Sequence, residues 1–289
     1  MNKVVFFNTK GGTGKTTICF NYGWYLAKNR NKKVLFLDFD PQISLVQAFF
    51  AKSSIPKNRC LENLVVNHLK GQGIDFGDYI IRINENIDLL PSSNNISLLE
   101  EYLTDYLLDR TFYENKIYQS SDRNVVIKEV LEQYINPEKY DYILIDSQPN
   151  YSLLSTTSII FARNIILVLR PEIFSFLDVK YLTKIINNLE EKFRVDINVA
   201  GVLINAYERR KKASESIASK FRHRYGEEFN LVGQKIRYLS HYQLSILLNR
   251  EPVFMSFPSS EASLDLLAAF GELDSLIDKT IDESVPVEK

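Results

Sequence analysis

The feature that most narrows the fold lies near the start of the chain. There the apolar run 4–7 (VVFF) leads into Asn8-Thr-Lys-Gly-Gly-Thr-Gly-Lys-Thr-Thr17. An apolar run of this length reads as a buried strand, and Thr16-Thr17 reads as the opening of a helix reaching about residue 29. Between them, Gly11, Gly12 and Gly14 allow a tight turn whose backbone N–H groups converge on one point. The dipole of the following helix favours an anion at that point. The turn ends as the pattern G-x-x-x-x-G-K-[ST] requires, at Gly14-Lys15-Thr16, but Thr9 stands where its first glycine belongs. A second cation, Lys10, lies inside the turn. Such a strand–turn–helix unit is predicted to cradle a phosphate chain through residues 10–17, including Thr13 and Thr17. Lys15 is placed to reach the β- and γ-phosphates, and the Thr16 hydroxyl to ligate Mg²⁺.

A strand of this kind needs neighbours on both sides, and the chain supplies them. Residues 33–38, 140–146, 165–169 and 199–204 are near-continuous Val/Ile/Leu/Phe runs separated by amphipathic stretches, with a weaker run at 87–90. This predicts an α/β fold: a doubly wound, mostly parallel sheet with helices on both faces, a P-loop NTPase fold. The 45% apolar and 25% charged residues suit a full core. Residues 1–277 are read as a single domain carrying a polar, aperiodic surface insertion at 109–123, and 278–289 as an acidic, frayed tail. Cys19 and Cys60 show no metal or redox spacing and read as small core residues in a reducing compartment. The start MNKVVFF is too weakly apolar for a signal peptide, and no run is long enough to span a bilayer. A cytoplasmic protein is expected.

Three acids close apolar strands beside the loop. Asp38 and Asp40 follow the second strand in LFLDFDPQ, and alternation lets both face the phosphate site. Asp146 closes YILID, the position of a Mg²⁺-holding acid. Asp40 is therefore read as orienting the attacking water, and Asp146 as supporting the metal with Thr16, with Asp38 beside them. Lys10 is a candidate to stabilise charge on the transferred phosphoryl group, of its own nucleotide or of a neighbouring subunit's.

These residues resemble the ParA/MinD family of deviant Walker-A ATPases, and within it the ParA-like partition branch. The matching stretches are KGGTGKTT (10–17), Asn21, DFDPQ (38–42), LLPSS (89–93), YDYILIDSQP (140–149), RPEIFSFLDVKYL (170–182), GVLINAY (201–207) and the closing segment 234–273. The resemblance implies an ATP-sandwich homodimer in which Lys10 crosses to the other subunit's nucleotide. It implies that Asp40 acts on the hydrolytic water and that Asn205 contacts adenine. It further implies nonspecific DNA binding by the ATP dimer, slow hydrolysis stimulated by a ParB-like or other small adaptor, and transport of a plasmid, chromosome or other cargo on the nucleoid. One departure stands out: the family reads D-x-P-P where this chain has Asp146-Ser-Gln-Pro149. An operator-reading extension ahead of the first strand is not expected.

Charge bears on the partner. Residues 201–250 carry ten Lys/Arg and four Asp/Glu, whereas 251–289 carry nine acids and two lysines. Arg209, Arg210, Lys211, Lys212, Lys220 and Arg224 form the candidate DNA surface, with Arg209, Lys212, Lys220 and Arg224 expected near one helix face. A membrane-cycling relative would need a basic amphipathic C-terminal helix, and the end here is acidic. Two other readings are a metal-transfer enzyme, which would want paired cysteines, and a dimerising scaffold with little hydrolysis.

Overall fold

The structure is a computed structural model that describes residues 1–50, 58–114, 117–172, 175–226 and 229–283. In chain order the first half comprises β1 (Asn2–Phe7), α1 (Lys15–Asn29), β2 (Val34–Phe39), α2 (Ser44–Phe49), α3 (Leu61–Leu69), β3 (Ile81–Arg82), β4 (Ile87–Leu90), α4 (Leu99–Glu114) and α5 (Asp122–Tyr134). There follow β5 (Tyr142–Ser147), α6 (Leu153–Ala162), β6 (Asn164–Leu169), α7 (Ser175–Phe193), β7 (Asn198–Ile204), α8 (Lys212–Tyr225), α9 (His241–Asn249), α10 (Val253–Ser256) and α11 (Glu261–Glu283).

The seven strands lie in the order β3-β4-β2-β5-β1-β6-β7, all parallel except the edge pair β3–β4. Each predicted strand forms to within about two residues, because buried parallel strands are apolar on both faces and stand out in the sequence. The antiparallel strand β3 has only two residues and carries no periodicity to read.

Alternation along β1 divides the core. Val4 and Phe6 pack with α1, α2 and α11, while Val5 and Phe7 pack with α3, α5, α6 and α7. Helix α1 lies so close to the sheet that a Cβ at Gly23 would fall 1.9 Å from the Phe36 ring. Strand β1 sits between β5 and β6, so the chain leaves β1 where the winding reverses, and the phosphate loop opens at that switch point.

Two sequence expectations change. Residues 109–114 are the last turns of α4, and Asp122 and Arg123 open α5, so 117–121 is the loop between them among the described residues. Beyond its buried Leu99, Leu103 and Leu107 the helix persists because i,i+4 contacts bind its surface, with Arg110 joined to both Tyr106 and Glu114. The expected tail is helical as far as Glu283, an extension of α11 beyond its buried stripe of Ala262, Leu266, Ala269, Leu273 and Ile277. Residues 115–116 of the insertion, 173–174 of the motif after β6 and 284–289 of the tail lie outside the described residues.

Candidate nucleotide site

The loop is fixed before any ligand arrives. Asn8 donates its side-chain amide to Val168 O (2.7 Å) and accepts from Lys10 N (2.9 Å), tying the turn to β6. Gly12 and Gly14 take φ of 72° and 92°, the left-handed region that only glycine enters without strain. Gly14 is doubly required, since a Cβ there would lie 2.2 Å from Asn205 Nδ2. That same Nδ2 donates to Thr13 O at 2.7 Å, so the end of β7 clamps the loop. Asn21 is also structural: buried in α1, it donates to Thr17 O and accepts from Val253 N at the head of α10.

Around this loop is a cleft of about 970 Å³ lined by Gly11, Gly12, Gly14, Lys15, Thr16, Thr17, Asp40 and Gln148, with Gln243, Leu247 and Arg250 from α9 and its end. A second recess of about 230 Å³ shares Gly12, Gly14 and Thr17 and adds Asn205, Arg170, Arg237 and Tyr238. The geometry offers a phosphate end at Lys15 and Thr16 and a narrower end at Asn205. Thr13 lies outside both linings, buried, with only its carbonyl engaged through Asn205.

The carboxylates divide their work differently from the sequence expectation. Thr16 Oγ1 donates to Asp146 Oδ2 at 2.6 Å, while the buried Asp146 Oδ1 has no hydrogen-bond partner. Asp38 and Asp146 are register partners on adjacent strands, and both are fully buried. Asp38, however, points its oxygens at backbone N–H groups, Asp40 N (3.0 Å) and Val46 N (3.1 Å). It thus braces the Asp40 turn and the start of α2 and stays out of the cleft, so its expected place among metal-facing groups is corrected. Asp40 does line the cleft, and its Oδ1 accepts from Gln42 N at 2.9 Å. Between them the chain is forced: Ile43 is buried at φ 49°, a costly conformation for a β-branched residue that this bracing holds.

Electrostatics follow from burial. Loss of solvent, with Asp146 next to it, pushes the Asp38 carboxyl well above its usual range. Burial lifts Asp146 to about 7, against the pull of the Thr16 hydroxyl and the Lys15 charge. The Lys15 ammonium is shifted down by burial, offset by the charges of Asp146 and Asp40. A buried carboxylate oxygen without a donor, next to a threonine hydroxyl and a glycine cradle, is an oxygen-rich set suited to a hard divalent cation.

Lys10 lies beside the cleft, outside its lining. Its Nζ is 3.0 Å from Asp178 Oδ2 of α7 in the same chain, a partner that sequence spacing does not point to. Among the basic residues, Arg209 and Arg210 occupy the turn after β7, Lys211 precedes α8, and Lys212 is its first residue. Only Lys212, Lys220 and Arg224 are therefore on the helix, and the expected shared face with Arg209 does not form. The extended backbone at Lys211 breaks the helical phase. All six are exposed, and Lys220, His223 and Arg224 line one shallow groove, while Lys211 pairs with Glu208.

A mostly parallel sheet with a glycine loop at its switch point and strand-end acids at the loop defines a P-loop NTPase-type domain. Comparison with known proteins narrows the class. A family described as an AAA domain matches residues 1–199. Uncharacterised proteins of Mycobacterium tuberculosis are 27% identical over 78% of this chain, which spans 64% of their length. The virulence plasmid ParA family protein pGP5-D of Chlamydia psittaci is 25% identical over 99% of this chain and all of its own. The chromosome-partitioning ATPase Soj of Treponema pallidum is 25% identical over 79% of this chain and 81% of its own. Among solved structures, the ATP complex of a McdA variant from Cyanothece superposes with a TM-score of 0.76 at 21% identity, covering 96% of each chain. A cobyrinic acid a,c-diamide synthase from Mycobacterium smegmatis, bound to an ATP analogue and magnesium, gives 0.72 at 19% identity over the whole of both chains. The chain belongs to the ParA/MinD family of P-loop ATPases.

Proposed function

We propose that this protein is a slow Mg²⁺-dependent ATPase that dimerises on ATP, binds DNA without sequence preference and positions a plasmid, chromosome or other cargo. The observation that carries this reading is the group formed by Thr16, Asp146 and Lys15 at the open glycine cradle. Lys15 and the backbone of residues 11–16 would hold the phosphates, and Thr16 and Asp146 would hold Mg²⁺, with Asp38 bracing the adjoining turn. Magnesium, when bound, would neutralise phosphate charge. Asp40 would hold the attacking water, and Asn205 would border the adenine in the narrower recess. Lys10 would act on the partner subunit's nucleotide, for which it must leave Asp178. The exposed cations Arg209, Arg210, Lys211, Lys212, Lys220 and Arg224 would meet DNA phosphates, and a ParB-like adaptor would accelerate turnover on the nucleoid. Lysines at the start of α8 oppose its dipole, an arrangement that a polyanion relieves.

The test is multiple-turnover ATP hydrolysis with and without DNA, in wild type and Lys10→Ala. Turnover should be slow in the wild type, and Lys10→Ala should reduce hydrolysis while leaving ATP binding largely intact. Loss of ATP binding without loss of hydrolysis per bound ATP contradicts the role of Lys10 in trans.

A further inference from the structure

Gln148, which stands where the family pattern has proline, faces the same cleft as Asp40 and the phosphate-loop glycines. It lies two residues beyond Asp146, just past the end of β5. Its Nε2 donates to Ser152 Oγ, the hydroxyl that also accepts from Ser155 N to cap α6. Ser152 is not part of the cleft wall, and the bond to it engages the amide nitrogen, whereas Oε1 of this cleft residue accepts no hydrogen bond among the described residues. The assignment of N and O is internally consistent: the Ser155 hydroxyl donates to Ser152 O, so Ser152 Oγ gives its own hydrogen to Ser155 Oγ and accepts from Gln148.

The segment carrying Gln148 is held at both sides. Ser147 Oγ donates to Phe6 O at 2.7 Å, and Asn150 N donates to Thr9 O at 3.2 Å, both on the strand and loop that form the phosphate cradle. A half-buried amide fixed in this way keeps one orientation without spending binding energy on ordering it. A glutamine oxygen beside a phosphate loop can accept a hydrogen bond from the attacking water and fix its direction, as glutamine does in other P-loop NTPases. Proline offers no such group.

We infer that Gln148 is a second water-positioning residue, working with Asp40 and set by its tether to Ser152. This rests on the ATPase reading above. The residue takes no proton: its oxygen orients the water, and the proton released on attack leaves through Asp40 or solvent.

The test compares wild type, Gln148→Ala and Gln148→Glu, the last retaining an acceptor oxygen. Three quantities are read: the single-turnover hydrolysis rate at saturating ATP·Mg²⁺, the affinity for a nonhydrolysable ATP analogue, and the affinity for ADP with aluminium fluoride, whose axial site mimics the attacking water. Gln148→Ala should slow hydrolysis by about 10-fold or more. It should weaken the aluminium fluoride complex by a similar factor and leave analogue affinity within about twofold, which also reports an intact fold. Gln148→Glu should recover part of the rate. Wild-type hydrolysis by Gln148→Ala, or equal losses of analogue and aluminium fluoride affinity, overturns this inference alone. Absence of hydrolysis in the wild type overturns it together with the ATPase reading.

Discussion

Asp146 holds the point on which the site chemistry turns, with one oxygen on Thr16 and the other buried without a partner. Its carboxyl is lifted to about 7 by burial, far above its value in an unfolded chain. A carboxyl raised in the folded state contributes stability at low pH and loses it as pH rises through the folded value. Without nucleotide or metal, the protein should therefore melt at a higher temperature at pH 6 than at pH 8. Asp146→Asn should flatten that difference, and an unchanged slope in thermal melts of the variant contradicts the assignment. The sequence exposed the acids but not their division of labour. LFLDFDPQ places Asp38 and Asp40 on one side of a strand, yet only the three-dimensional turn at Ile43 shows that Asp38 is consumed by Val46 N and Asp40 N. The pairing of Lys10 with Asp178 joins positions 168 residues apart, beyond the reach of local spacing.

Helices α1 and α8 carry the next tests. Gly23 lets α1 sit against Phe36, so Gly23→Ala must push the helix or the ring, at a cost of about 1–3 kcal/mol. Because α1 begins at Lys15, the same substitution should also weaken nucleotide binding, measured by equilibrium titration against a denaturation curve. A variant of wild-type stability shows that the close approach is not tight. For α8, charge reversal at Lys220 and Arg224 should weaken DNA binding and flatten its dependence on salt, measured by anisotropy across a salt series. An unchanged salt slope removes that face from the DNA surface. Legibility differed among these elements for a physical reason. Buried parallel strands announce themselves by composition, whereas α4 is sustained to Glu114 by surface pairs such as Arg110–Glu114, which look like loop polarity in sequence.

At the scale of the molecule, the strands of the described residues form one sheet with the nucleotide cleft at its switch point, the Lys10–Asp178 pair beside the cleft and the basic α8 following β7. The family was legible because its markers, KGGTGKTT and DFDPQ, are backbone-constrained turns; the bracing around them was not, because it is made by side-chain hydrogen bonds, Asp38 to Asp40 N and Val46 N and Thr16 to Asp146, that only the folded chain brings together. If two chains close over two nucleotides with Lys10 donated across the interface, neither Lys10→Ala nor Asp40→Ala should turn over alone. Mixed in equal amounts, they form heterodimers in which one site has an intact Asp40 and receives an intact Lys10 from its partner. Hydrolysis by the mixture should then return to about one quarter of wild type, from half of the dimers with half of their sites complete. A mixture no more active than the separate variants places Lys10 in its own chain's site and contradicts the sandwich dimer.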